Sequence, residues 1–244
     1  MASPPITQNH NKDASSSTLS EIQADHHARQ FDIKVVRDAF VNCIQPDNTL
    51  LLSEYVRAYD ELCIFVASLG HVFEWAIKDL SSKLIILQEY QRIDPVNYES
   101  IQSMIAYEVK SERVKTRDTN IQVQSGKVLP NGCRTLLRLH RALGFISSFL
   151  SQMRIAPDDA SSASIAWNAY SATLGHFHSW VIRQTIHAAI TLTVPNRQTL
   201  LNKLLINRSH DEIDTFCVDI VQSCNKVESI TQELYELNDL TRLP

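Results

Sequence analysis

Glycine is scarce in this chain, with five among 244 residues, and alternating β-branched runs are few. Both shortages argue against a fold built on sheets, which needs tight turns and period-two strands. Excess positive charge is also missing. The formal net charge is -4, which gives no global attraction to nucleic acid, and any anion site must be local. The cysteines, Cys43, Cys63, Cys133, Cys217 and Cys224, are odd in number and lack CxxC spacing. Neither a disulfide framework nor a zinc cluster is suggested, and a reducing compartment fits best. The most hydrophobic stretch, CIFVASLGHVFEWAIKDLSSKLIIL, holds Glu74, Lys78, Asp79 and Lys83, too many charges for a membrane span. It reads as a buried helix. The first residues, MASPPITQNHNKDASSSTLSE, are polar and lack the apolar core of a secretory signal. The expected setting is therefore the cytoplasm. Also missing are a nucleophile motif, a phosphate-cradling glycine loop, HExxH and a catalytic carboxylate pair. These absences leave an enzyme unsupported, with no catalytic residue, metal or cofactor expected.

What is present is an apolar supply of 44%, enough for a substantial core. Residues 1–28 are rich in Ser, Asn, Asp and His without apolar periodicity, and read as a disordered polar tail. Residues 29–244 show no composition break and read as one domain. Pro46, Pro95, Pro130, Pro157 and Pro195 divide it into helix-sized lengths. The pattern predicts an all-α fold with helices near 31–44, 50–68, 70–92, 97–114, 132–153, 162–192, 196–206 and 210–237. The polar stretch 115–131, KTRDTNIQVQSGKVLPN, reads as a surface loop. The sequon at Asn207, Arg208 and Ser209 would be inert in a cytosolic protein.

Three of these helices carry the chemistry. In RTLLRLHRALGF, Arg134, Arg138 and Arg141 follow i, i+4, i+7 spacing and share a stripe opposite Leu136, Leu139 and Leu143. This fits a solvated basic face, but Phe145 and Phe149 extend the same stripe, turning it from cationic to aromatic. In WAIKDLSSKLIIL, Glu74, Lys78, Ser81, Gln88 and Glu89 make an ordinary polar face. Asp79 and Lys83 lie on the other side, with Val72, Trp75, Ala76, Ile86 and Tyr90. A surface i, i+4 pair contributes about 0.3–0.5 kcal/mol, whereas burying such charges costs several kcal/mol per ion unless partners satisfy them. The pair either fixes helix register or lines a pocket whose ligand uses both groups. In SIAWNAYSATLGHFHSWVIRQTIHAAI, read as one helix, His178 shares a stripe with Trp167, Ser171, Leu174 and Ile182. It is a core histidine or, with the other two helices, a ligand-binding one. His176 and His178 fall about 200° apart on a helix and make no zinc site there. Together the three helices suit a ligand with an anionic head, a polar linker and an apolar body.

These segments resemble the glycolipid transfer protein superfamily, and within it the ceramide-1-phosphate transfer protein branch. The likeness spans roughly residues 31–240 and rests on SLGHVFEWAIKDLSSKL, NGCRTLLRLHRALGF, and AYSATLGHFHSWVIRQTIHAAI followed by VPNR. It implies a two-layer all-α sandwich of about eight helices that moves sphingolipids between membranes without chemistry. It also implies that Asp79 accepts a hydrogen bond from the sphingoid amide and that His178 donates to the acyl carbonyl. In the sugar-binding branch the positions of Lys83 and Arg138 are asparagine and a sugar-stacking tryptophan. Cations there, with Arg134 one turn away, convert a sugar site into a phosphate site. Arg141, a cation widely in sugar-binding relatives, takes a structural role.

The expectation is thus a carrier of a phosphosphingolipid, most simply ceramide-1-phosphate. Its phosphate would lie on Lys83, Arg134 and Arg138, and its amide between Asp79 and His178, with transient membrane contact and no nucleic-acid partner. Ile44 and the Leu50–Leu52 run are candidates for membrane docking, with core packing as their other reading. Alternatives are a sphingolipid sensor acting through protein contacts, a carrier of neutral glycosphingolipids and, weakest, an enzyme acting on lipid phosphate.

Overall fold

The computed structural model describes residues 10–115, 120–122, 128–204 and 208–243. Among them are ten α-helices: α1 (His10–Ala28), α2 (Ile33–Cys43), α3 (Leu52–Ser68), α4 (Glu74–Ile93), α5 (Ile101–Lys110), α6 (Gly132–Ile155), α7 (Ser162–Ala172), α8 (Trp180–Thr193), α9 (Arg197–Leu204) and α10 (His210–Leu237). They form a two-layer helical sandwich. Helix α2 packs on α3, α3 on α4, α4 on α6, α6 on α10 and α10 back on α2, closing around one main core. Phe40, Tyr55, Tyr59, Leu87, Leu139, Ile220 and Tyr235 lie fully inside it. Helix α6 is fastened through its own carbonyls: Tyr59 donates to Leu139 O at 2.5 Å and Tyr235 to Cys133 O at 2.6 Å. Each such bond contributes about 1 kcal/mol. A smaller apolar cluster joins α7 and α8, with Tyr170, Ile186 and Ile190 at its centre and Phe145, Phe149 and Trp167 packed against it.

Several expectations are corrected. Residues 1–28 are not a uniform disordered tail, because α1 reaches Ala28 and its end is docked. His26 Nε2 lies 2.8 Å from Asp60 Oδ1, Arg29 bonds Asp60 and Glu61, and the His26 ring sits 3.5 Å from Ser81 Oγ. This docking rests on polar anchors that apolar periodicity does not reveal, and it buries Ser81, assigned to a solvated face of α4. Residues 1–9 fall outside the described set, as does Asn207 of the sequon.

The helix expected over 70–92 starts later, because Gly70 turns the chain at φ 116 and a 3-10 turn, His71–Phe73, precedes α4. That φ favours glycine. The helix expected over 97–114 is shortened to α5, started by a capping box between Ser100 and Ser103. The loop expected over 115–131 carries two three-residue strands, β1 (Asn120–Gln122) and β2 (Val128–Pro130), which pair antiparallel with Ile121 opposite Leu129. The single helix expected over 162–192 is broken into α7, a 3-10 turn at Leu174–Phe177, and α8. Leu50 and Leu52 are fully buried, and Ile44 and Leu50 pair as a backbone bridge. Of the two readings given for these residues, core packing holds for Leu50 and Leu52, while Ile44 and Leu51 are half-buried.

Candidate functional site

Helix α6 is built to hold its first two turns still. Asn131 caps it by accepting from Arg134 N at 3.2 Å, and the buried Glu108 carboxylate accepts from Gly132 N and Cys133 N at 2.9 and 2.8 Å. Tyr98 donates to the same carboxylate at 2.8 Å. A Cβ at Gly132 would stand 2.8 Å from Glu108 Oε1, so this grip requires glycine. A carboxylate here also opposes the positive end of the helix dipole.

Three residues after the cap, Arg134 is 5% exposed, whereas Arg138, one turn later, is exposed. The arginine stripe is therefore not one solvated face: α6 runs between α4, α7 and α10, and its first turns are buried nearly all round. Arg138 Nη1 reaches back to Arg134 O at 3.4 Å. Arg141 diverges. Its guanidinium lies 4.1 Å over the Phe177 ring and donates to Thr241 O at 3.0 Å, contacts that fit its expected structural role.

Helix α4 supplies the acid and the base. Lys83 is buried, at 8% exposure, and its Nζ lies 2.5 Å from Asp79 Oδ1 and 3.1 Å from Asp79 O. Asp79 itself is 63% exposed at the side chain. Burial pushes the Lys83 pKa down, the Asp79 carboxylate opposes that, and the Arg138 charge lowers it further. A cation held in this way gains from a second anion, because each added negative charge restores the charged form. Asp79 and Lys83 do share a side of α4, but the apolar stripe beside them is buried only at its C-terminal end, where Tyr90 lies fully in the core and Ile86 packs on it. Val72 and Trp75, read as its apolar flank, are each 48% exposed.

His178 sits in extended backbone between the Leu174–Phe177 turn and α8, not on a helical stripe. Gly175 makes the break possible, since a Cβ there would meet Tyr170 O at 3.3 Å. Tyr170 Oη lies 2.8 Å from His178 Nδ1, with the rings stacked at 5.8 Å. Burial lowers the His178 pKa, and the nearby Asp79 charge opposes this. With Nδ1 engaged by the tyrosine hydroxyl, a neutral ring presents Nε2–H as its donor. The structure thus brings Asp79, Lys83, Arg138 and His178 within electrostatic reach of one another across α4, α6 and the turn before α8, with Arg134 one turn below Arg138.

Two features escaped the sequence reading. Tyr170 as the partner of His178 depends on a break that periodicity does not reveal. The second is a set of exposed apolar side chains beside the site: Phe177, Trp180, Val181 and Ile182. Helix α8 packs against the His71–Phe73 turn, which carries the exposed Val72. The signal was the SWVI run itself, in which consecutive large apolar residues cannot all face inward on a helix.

A family model for glycolipid transfer protein (GLTP) matches residues 50–205, and the chain belongs to this family. The ceramide-1-phosphate transfer protein of Rattus norvegicus is 36% identical over 219 residues, covering 88% of this chain and 98% of the relative. The apo crystal structure of the mouse ceramide-1-phosphate transfer protein superposes with a TM-score of 0.78 at 32% identity, over 88% of this chain and 100% of that one. The human ceramide-1-phosphate transfer protein, in complex with 12:0 ceramide-1-phosphate, gives 0.74 at 30% identity with the same coverage.

Proposed function

We propose that this protein carries a phosphosphingolipid, ceramide-1-phosphate being the cargo that fits best, between membranes without chemical change. The carrying observation is the buried Lys83 held by a half-open Asp79, with Arg138 close enough to depress its pKa. Repulsion of this kind is relieved by a ligand anion. Lys83, Arg134 and Arg138 take the phosphate, Arg contributing bidentate geometry. Asp79 accepts from the amide nitrogen, and His178, oriented by Tyr170, donates to the acyl carbonyl. The names of the rat and mouse relatives and the lipid in the human structure support this reading.

Residues 29–244 act as one lipid-binding domain, with the chains taken up among the helices. About 30 methylenes at ~0.8 kcal/mol each would cost roughly 24 kcal/mol to expose to water. Uptake therefore happens while the protein is docked on a bilayer. The exposed Trp180, Val181 and Phe177 beside His178 provide that contact, since interfacial tryptophan suits the headgroup region. No described helix is long and apolar enough to cross a membrane, which fits transient, peripheral association from the cytosol.

The test is mass spectrometry of the lipids retained on purification, followed by vesicle transfer of phosphorylated against glycosylated ceramides. Faster transfer of the phosphorylated set is expected. Preference for the glycosylated set overturns the assignment.

A further inference from the structure

We propose that His27, His71 and Glu74 form a site for a zinc-class divalent ion that staples α1 to the turn preceding α4. The sequence offers no metal motif, because these residues become neighbours only when α1 docks. His27 lies in the last turn of α1, His71 opens the 3-10 turn after Gly70, and Glu74 starts α4. One ligand atom from each lies within 4.8 Å of the other two. His71 Nδ1 is 2.6 Å from Glu74 Oε1, His27 Nε2 is 4.0 Å from the same oxygen, and the two rings stand 5.6 Å apart.

Two imidazoles and one carboxylate, with a position left for water, make a donor set that suits zinc and not magnesium, which prefers oxygen ligands alone. Bonds of about 2.0–2.1 Å place tetrahedral ligands roughly 3.4 Å apart. Reaching that spacing takes shifts of about 1 Å: His27 moves in from 4.0 Å, while the 2.6 Å contact between His71 and Glu74 opens. All three side chains are exposed, so they can make these shifts without disturbing the core, and an ion can enter from solvent. The bound ion would fix the C-terminal end of α1 beside Val72 and Trp75, at the edge of the exposed apolar surface. The site does not depend on the lipid assignment, and its test uses no lipid.

The full chain, stripped with a chelator, is titrated calorimetrically with zinc chloride, and hydrogen exchange is followed over residues 19–28 and 71–74. One ion per chain is expected, with slower exchange in both segments. His27→Gln and His71→Gln should each weaken binding at least about tenfold, with unchanged circular dichroism, while His210→Gln, exposed at the start of α10, should leave it unchanged. Absence of one-to-one binding, equal affinity in His27→Gln, or an equal response to magnesium chloride would overturn the proposal.

Discussion

Two ionisable groups are buried beside the first turns of α6, and the fold treats them differently. Glu108 is closed: Tyr98, Gly132 and Cys133 all donate to it, and its side chain has no contact with solvent. Lys83 is half open, since its partner Asp79 is mostly solvated and its other charged neighbour, Arg138, repels it. A buried charge whose hydrogen-bonding capacity is used up by backbone and a neighbouring hydroxyl holds structure in place. A buried charge answered by a single, solvent-facing partner keeps capacity for a ligand. The two are linked, because Glu108 grips the helix end that sets the height of Arg134 and Arg138.

The sharpest way to break this contrast is Glu108→Ala. It strands two backbone donors and a tyrosine hydroxyl in the core, and an unfolding loss of about 3–5 kcal/mol is expected by denaturant titration. A loss under about 1 kcal/mol would mean that the carboxylate does not hold α6. Lys83→Asn should behave in the opposite way. Its stability change stays within about 1 kcal/mol because Asp79 is left solvated, while ceramide-1-phosphate transfer falls roughly 10- to 100-fold as one charge-assisted bond is lost. Unchanged transfer in that variant would remove Lys83 from the phosphate site.

Tyr170→Phe tests whether His178 belongs with the open group. Loss of the hydroxyl at 2.8 Å should cost about 1 kcal/mol, a roughly fivefold drop in transfer, with the pocket otherwise intact. The pH dependence follows from the same residue. Burial depresses the folded-state pKa of His178, whereas the unfolded chain titrates near about 6.5. The stability contributed by neutral His178 is therefore full above about pH 6.5 and is lost as pH falls through the lower folded value. Between those values the wild type should lose stability on acidification more steeply than His178→Gln; parallel curves would place the histidine in solvent. The smallest effect on stability is expected from Trp180→Ala, within about 0.5 kcal/mol, accompanied by weaker co-sedimentation with vesicles.

The site was legible in the sequence to an unequal degree. Asp79 and Lys83 stood out because i, i+4 spacing fixes two side chains on one helix whatever surrounds it, and Arg134 and Arg138 for the same reason. His178 was singled out for an incorrect local reason, since the helix assumed through it is interrupted at Gly175. Whether α6 was amphipathic or enclosed could not be read from its own residues. The burial of Arg134 and the exposure of Arg138 depend on what α4, α7 and α10 place against them. The exposed Trp75 and Trp180 illustrate the same limit, because an apolar residue declares its hydrophobicity and not its neighbours.

Helix content, the absence of any chain-spanning apolar run and the pairing of charges within a helix are determined by the sequence alone, because they depend on interactions a few residues apart. The tertiary structure decided the rest. It chose which charges are closed and which stay open, docked α1 through His26 and Arg29, aligned Tyr170 with His178, and brought His27 to His71 and Glu74. Each of these joins groups that are distant along the chain, and such contacts form only where the packing of whole helices compensates the entropy of bringing them together.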